Sequence, residues 1–181
     1  MKKTILTFGL IGGVLSSLMM VATVPFLHKI GNDKGLIVGY TTIVAAFLLV
    51  YFGIRSYRDN IGGGQITFGR GFAVGICITL ITCVFYVLTW EVLYFKFLPH
   101  FMDNYGVDGI ARLKASGASA AVVQAKVEEL RKLKESLNNP IYNSAMTFLE
   151  PFPVGLVITL ISAAILRRKG GVPVLERVEQ S

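Results

Sequence analysis

Charge is scarce in this chain, and histidine and cysteine are scarcer still. Asp, Glu, Lys and Arg make up 16% of the 181 residues, too few for an ordinary soluble domain. The two cysteines, Cys77 and Cys83, lie six residues apart in one apolar run. That spacing sets them about 120° apart around a helix, which argues against a bond between them within it. No cysteine spacing of the zinc-site kind occurs, and His28 and His100 are isolated in sequence, so no metal site is expected. The chain also lacks a nucleophile elbow and an H-E-x-x-H pattern. Neither an enzyme nor a cofactor protein is expected from this inventory.

What is abundant is apolar sequence. Hydrophobic residues make up 53% of the chain and concentrate in four runs, Ile5–Leu27, Leu36–Ile54, Phe72–Phe95 and Ala145–Leu166. A hydrocarbon core about 30 Å thick is crossed by about 20 helical residues, so each run is long enough. Inside lipid every backbone N–H and C=O needs a partner within its own segment, which makes the runs helices. The expected fold is an all-α membrane protein, four transmembrane helices in one bundle spanning residues 1–170. The first run has 23 residues and no A-x-A site after it, so it reads as a retained span rather than a signal peptide.

The net charge of +7 has a topological explanation and needs no nucleic acid. Lys2, Lys3, Arg55, Arg58, Arg70, Arg167, Arg168, Lys169 and Arg177 fall at the amino end, the second connection and the tail. Only Asp59, Glu176 and Glu179 oppose them there. The expectation is a bacterial inner-membrane protein with both termini, and the tail 171–181, in the cytoplasm.

The first connection, Lys29–Gly35, has the Gly, Asn and Asp of a tight turn. The second holds Gly62-Gly63-Gly64, which ends a helix; without a following Gly-Lys-Ser/Thr it reads as a turn rather than a phosphate loop. The third, residues 96–144, is expected to form an extracytoplasmic helical hairpin between spans three and four. One helix runs from about Met102 to Ser116, Gly117 stops it, and Ser119 caps a second over Ala120–Leu137. Val123, Val127, Leu130 and Leu137 give that helix one apolar stripe, and Glu128–Lys132 is a favourable i,i+4 pair.

Lipid tails are as apolar as leucine, so helices in a bilayer associate through small residues and interhelical hydrogen bonds. Gly9, Gly13, Ser16 and Thr23 line one face of the first span; Gly39, Thr42, Ala46 and Gly53 line the second. The third offers Gly71, Gly75, Thr79, Thr82, Tyr86 and Thr89, and the fourth Gly155, Thr159 and Ser162. Such faces fit a compact bundle and equally a homo-oligomer. Glu91 and Glu150 are the acids within the apolar runs, and an ionisable residue in a span is a functional candidate. Both sit toward the outer ends of the expected spans. One reading makes them interfacial, Glu91 in a belt with Tyr86, Trp90 and Tyr94, and Glu150 favoured by a helix dipole before Pro151 and Pro153. The other makes them a shared outer polar site with Tyr94 and Lys96.

Two stretches, Tyr51-Phe52-Gly53-Ile54-Arg55-Ser56-Tyr57-Arg58-Asp59-Asn60 and Gly63-Gly64-Gln65-Ile66-Thr67-Phe68-Gly69, resemble the hallmark of a bacterial membrane family. It is the domain-of-unknown-function family forty-one ninety-nine. Thr89-Trp90-Glu91, Lys114-Ala115-Ser116-Gly117-Ala118-Ser119 and the block Thr147–Leu156 are similar too, and the likeness runs from about Lys2 to Lys169. Val122 departs from it, standing where an acid would complete a capping box with Ser119. The resemblance implies four spans and assigns no chemistry. The first functional expectation is therefore a non-enzymatic protein acting through helix packing, lipid, or a protein partner of unknown kind. The alternative is a small-solute or ion-coupled transporter using an outer site near Glu91 and Glu150. Against it stand two absences in the expected spans: no broken helix apart from the Pro151/Pro153 start, and no charge near a midpoint.

Overall fold

A computed structural model describes residues 1–24 and 32–168, with the side chains of 32–36 excepted. His28, Lys29, the first turn up to Gly31 and the tail 171–181 lie outside the described residues. Helix α1 covers Lys2–Thr23, α2 Asn32–Asn60, and α3 Phe68–Val92, which continues as a π-helical turn over Leu93–Phe97. Then come α4 (Phe101–Ala115), α5 (Ala120–Leu137), α6 (Pro140–Leu149) and α7 (Pro151–Leu166). Four segments are long and apolar enough to cross a membrane: Lys2–Thr23, Ile37–Asn60, Phe68–Phe97 and Pro140–Leu166. The fold is an all-α, four-span membrane bundle.

Boundaries differ from the sequence reading where caps and prolines decide them. Residues 32–35, expected in a turn, already belong to α2. The fourth span starts at Pro140, five residues before Ala145, because Asn139 caps it: its Oδ1 accepts from the N–H of Ile141 at 2.9 Å and of Tyr142 at 3.3 Å. Proline at the first helical position then loses no helical hydrogen bond. The same span is interrupted at Glu150, since neither Pro151 nor Pro153 can donate to the carbonyl four residues back.

The spans pack around the pair α2 and α3, with α1 against one side of it and α6–α7 against the other. Their outward faces carry Leu6, Leu10, Leu18, Leu48, Leu88, Val157 and Ile165, all exposed. Their inward faces bury Ser16, Thr79, Thr82, Asn143, Thr159 and Ser162. Such an inside-out distribution suits lipid, where polar groups pair with one another and apolar ones meet acyl chains. Phe47, Val50, Ile54, Val74 and Ile78 form the apolar centre of the core.

Glycines set the closest approaches. A Cβ at Gly9 would fall 2.9 Å from Ile81, and one at Gly13 2.6 Å from Phe85. At Gly75 it would meet Ile54 and Thr159 at 2.8 Å, at Gly155 Thr79 at 2.5 Å, and at Gly71 Ala163 at 3.4 Å. Gly12, not singled out above, lies against Thr82 of α3. Gly39 has no described residue within 4 Å. At the other end of the bundle, Gly63 and Gly64 take left-handed φ of +59° and +81° and turn the chain from α2 toward α3. Ile66 and Arg168 then exchange two backbone hydrogen bonds of 3.2 and 3.0 Å, tying the end of α7 to that turn.

Helices α4 and α5 are joined through Gly117, whose φ is +78°. Ser119 accepts from the N–H of Val122 at 3.5 Å. Leu130 reaches Gly106, and Lys134 donates to Asp103. The main partner of Glu128 is Arg131, three residues on, at 2.8 Å; Lys132 stands off at 3.9 Å. The apolar stripe of α5 is covered only in part, and none of its residues is buried.

Candidate functional site at the break in the fourth span

The third and fourth spans are joined by a ladder of side-chain hydrogen bonds, each set by helical periodicity on both sides. Its deepest rung is Thr79 with Thr159, Oγ1 to Oγ1 at 3.0 Å, both fully buried. Next, the Tyr86 hydroxyl donates to Oε2 of Glu150 at 3.1 Å. Then Trp90 Nε1 donates to Asn143 Oδ1 at 2.9 Å, and Thr147 Oγ1 donates to the same oxygen at 3.2 Å. Asn143 Nδ2 in turn donates to the carbonyl of Leu137 at 3.0 Å. The last rung is Ser144 Oγ donating to Glu91 Oε1 at 3.0 Å. A further bond of 2.7 Å, Thr89 Oγ1 to Ser17 Oγ, ties α3 to α1.

Glu91 and Glu150 thus occupy different rungs. Tyr86 and Glu91 are five residues apart, and Ser144 and Glu150 six, so the carboxylates stand about 8 Å apart along the helices at 1.5 Å per residue. A groove of about 310 Å³ on the outward flank of these two spans is lined by Val84, Val87, Leu88, Ser144, Ala145 and Phe148. Its wall is nearly all apolar, and neither carboxylate lines it. Tyr94 is buried against Trp90 and Phe101, with ring centroids 5.8 and 6.5 Å away. Lys96 is exposed at the end of the π-helical turn. The structure therefore gives each acid its own hydroxyl donor and leaves Tyr94 and Lys96 out of both pairs. Cys77 and Cys83 are free thiols. Among the described residues no group of three metal-ligating side chains occurs.

The position of Glu150 carries the most chemical meaning. Residue 153 is the midpoint of Pro140–Leu166, so the carboxylate lies three residues from the centre of its span. The break there removes the helical donors of the Thr147 and Leu149 carbonyls, because Pro151 and Pro153 have no N–H. Glu150 is also the residue before the first turn of α7, where the positive end of the helix dipole favours an anion. It makes no side-chain cap there; its bond goes to Tyr86 instead. Asn143 escapes sequence reasoning, because hydropathy alone starts the span at Ala145. The signal that finds it is Asn139-Pro140, a cap followed by proline.

These features define a four-span membrane protein with a polar ladder and a broken fourth span. The chain belongs to the family described as protein of unknown function DUF4199, whose model matches residues 7–168. No curated protein and no solved structure matches it.

Proposed function

We propose that the protein is a small-solute or ion-coupled carrier of the bacterial inner membrane, with the broken fourth span as its working element. One observation carries this reading: a carboxylate at a double-proline break, three residues from the midpoint of its span. Discontinuous spans with polar groups near the midplane are the usual construction of carrier sites, because freed carbonyls and helix ends replace the shell of an ion. The two absences that weigh against a carrier in the sequence alone, a broken helix and a charge near a midpoint, are removed by the start of the span at Pro140. No catalysis is proposed.

The proposed orientation puts both termini and the Gly62–Gly64 turn in the cytoplasm, and α4 and α5 outside. It is supported by the basic residues at one end, where Arg55, Arg70, Arg167 and Arg168 are exposed. A second reading, action through a protein partner or lipid, has its own support in α5, whose Val122 and Val127 are 50% and 39% exposed.

A carrier must change shape about its site. In a Cys77→Ser, Cys83→Ala background, spin labels at Ile141 on α6 and Ile165 on α7, both exposed, report the angle across the break. In liposomes the expected result is two distance populations whose ratio responds to pH or to sodium. A single distribution under every ionic condition overturns the carrier reading.

A further inference from the structure

We propose that Glu150 is a proton-binding site, paired with Tyr86, and that its occupancy sets the geometry of the break in the fourth span. The proposal deepens the carrier reading, on which its purpose rests, by naming the coupling ion; the existence of the site is tested separately.

Glu150 belongs to none of the ion pairs among the described residues. Its partner is the Tyr86 hydroxyl, which is neutral. The other titratable groups of this neighbourhood are Cys83 on α3 and Tyr40 on α2, both within electrostatic reach of Tyr86. Glu91 stands a rung away, bonded to Ser144. The basic residues described in the spans are Lys2, Lys3, Arg55, Arg58 and Arg70, toward the other end of the bundle, and Lys96 at the end of the third. An ionised carboxylate near the middle of a bilayer, without a cation, costs about 2.5–3.5 kcal/mol on insertion scales. A proton removes that charge with the smallest change in volume.

A metal cation is the competing ligand, and the donor set is poor for it. Sodium or a larger ion needs several oxygen donors converging without hydrogen. Here Tyr86 aims its O–H at the carboxylate and so presents a hydrogen rather than a lone pair. The carbonyls of Thr147 and Leu149 follow the chain around the break. Together they suit a group that alternates between accepting and donating hydrogen bonds.

Protonation moves a proton from hydronium to a carboxylate oxygen: one O–H bond of the donor breaks, one O–H bond on Glu150 forms, water leaves, and nothing is oxidised or reduced. In the ionised state the site accepts from Tyr86, which fixes α6–α7 against α3. In the protonated state Glu150 becomes a donor itself, and the carbonyls left without helical donors by Pro151 and Pro153 are acceptors within the same turn. The carboxyl then bonds within its own span, the tie to Tyr86 is released, and the break is free to bend. Pro151 is itself buried, so bending there is transmitted to the packed core.

The test uses the full-length protein in liposomes, with protons and sodium as the probes. Infrared titration of wild type should show a protonated carboxylic C=O band that Glu150→Gln abolishes and Glu91→Gln leaves in place. Tyr86→Phe should move the midpoint of that band, whereas Tyr105→Phe, on α4, should not. Glu150→Asp should restore a titrating band and shows that loss in the glutamine variant is not misfolding. A titration identical in Glu150→Gln overturns the proposal. So does a band that responds to sodium at constant pH, which would mark a cation site. If the band titrates while the labels at Ile141 and Ile165 report one fixed distance, the proton site stands, but its control of the break and the carrier reading both fall.

Discussion

The indole N–H of Trp90 points at the amide oxygen of Asn143 across 2.9 Å, joining the third span to the fourth. Asn143 is fully buried, and both ends of its amide are used: Thr147 donates to its oxygen, and its nitrogen donates to Leu137. A buried amide is tolerable in an apolar setting only when its partners are present.

Replacing Asn143 therefore leaves the Trp90 N–H without its acceptor and the Leu137 carbonyl without its donor. Asn143→Ala should lower stability by about 1–3 kcal/mol, the cost of stranding buried polar groups. Trp90→Phe removes one donor and should cost less, about 0.5–1.5 kcal/mol from the lost hydrogen bond. Thermal melts in one detergent compare the three proteins. A double variant whose loss equals the sum of the two singles would deny the direct coupling that the geometry shows.

Glycine packing gives a sharper contrast. A Cβ at Gly13 would sit 2.6 Å from Cγ and 2.9 Å from Cβ of Phe85, atoms near the backbone that cannot swing away. Gly13→Ala should destabilise by about 1–3 kcal/mol, the range for an overfilled core. Gly109 lies inside α4 with nothing within 4 Å. There Gly109→Ala should be neutral or stabilise by up to about 1 kcal/mol through helix propensity. If the two variants melt alike, α1 and α3 do not approach as closely as this packing requires.

How much of this was legible in sequence depends on the range of the interaction. The four spans were, since each is a continuous apolar run that must close its own hydrogen bonds. The start of α5 was too, because Ser119 acts through its neighbour Val122. The start of the fourth span was misjudged: Pro140–Ser144 mixes polar and apolar residues, and hydropathy outweighed the Asn139 cap. Those five residues bring Glu150 from the outer part of its span to within three residues of the middle. The pairing of Tyr86 with Glu150, and of Ser144 with Glu91, was not legible at all. It depends on how two helices 64 and 53 residues apart are rotated against each other, and contacts such as Gly155 on Thr79 and Phe47 set that rotation.

Orientation is tested by labelling. In the background lacking Cys77 and Cys83, Lys132→Cys on α5 should react with a membrane-impermeant thiol reagent in intact cells. Its side chain is 70% exposed, so access to the reagent is not limited by packing. Gln65→Cys, exposed in the turn after α2, should react only after lysis. The reverse pattern would invert the proposed topology while leaving the bundle unchanged.

The last expectation concerns pH and the pair that joins α4 to α5. Lys134 donates to Asp103 across 31 residues, and His100 stands 3.5 Å from the same carboxylate. The hydrogen bond from Lys134, and then its charge and His100, hold the Asp103 carboxyl below its ordinary value. A carboxyl lowered in the folded state contributes stability above its unfolded value, and the contribution fades as pH falls through the folded one. The docking of α4 on α5 should therefore weaken on acidification below about pH 4, the ordinary aspartate range, and be unaffected between pH 6 and 8 by this group. Both side chains are exposed to solvent, at 41% and 47%, so salt should screen the effect. Hydrogen exchange of the α4 and α5 amides, corrected for intrinsic rates, reads it directly. Protection in wild type should drop in acid and with added salt, and Asp103→Asn should show the lower protection at every pH. Equal acid sensitivity in Asp103→Asn would assign the loss to another group and leave Lys134–Asp103 as a contact without consequence for the fold.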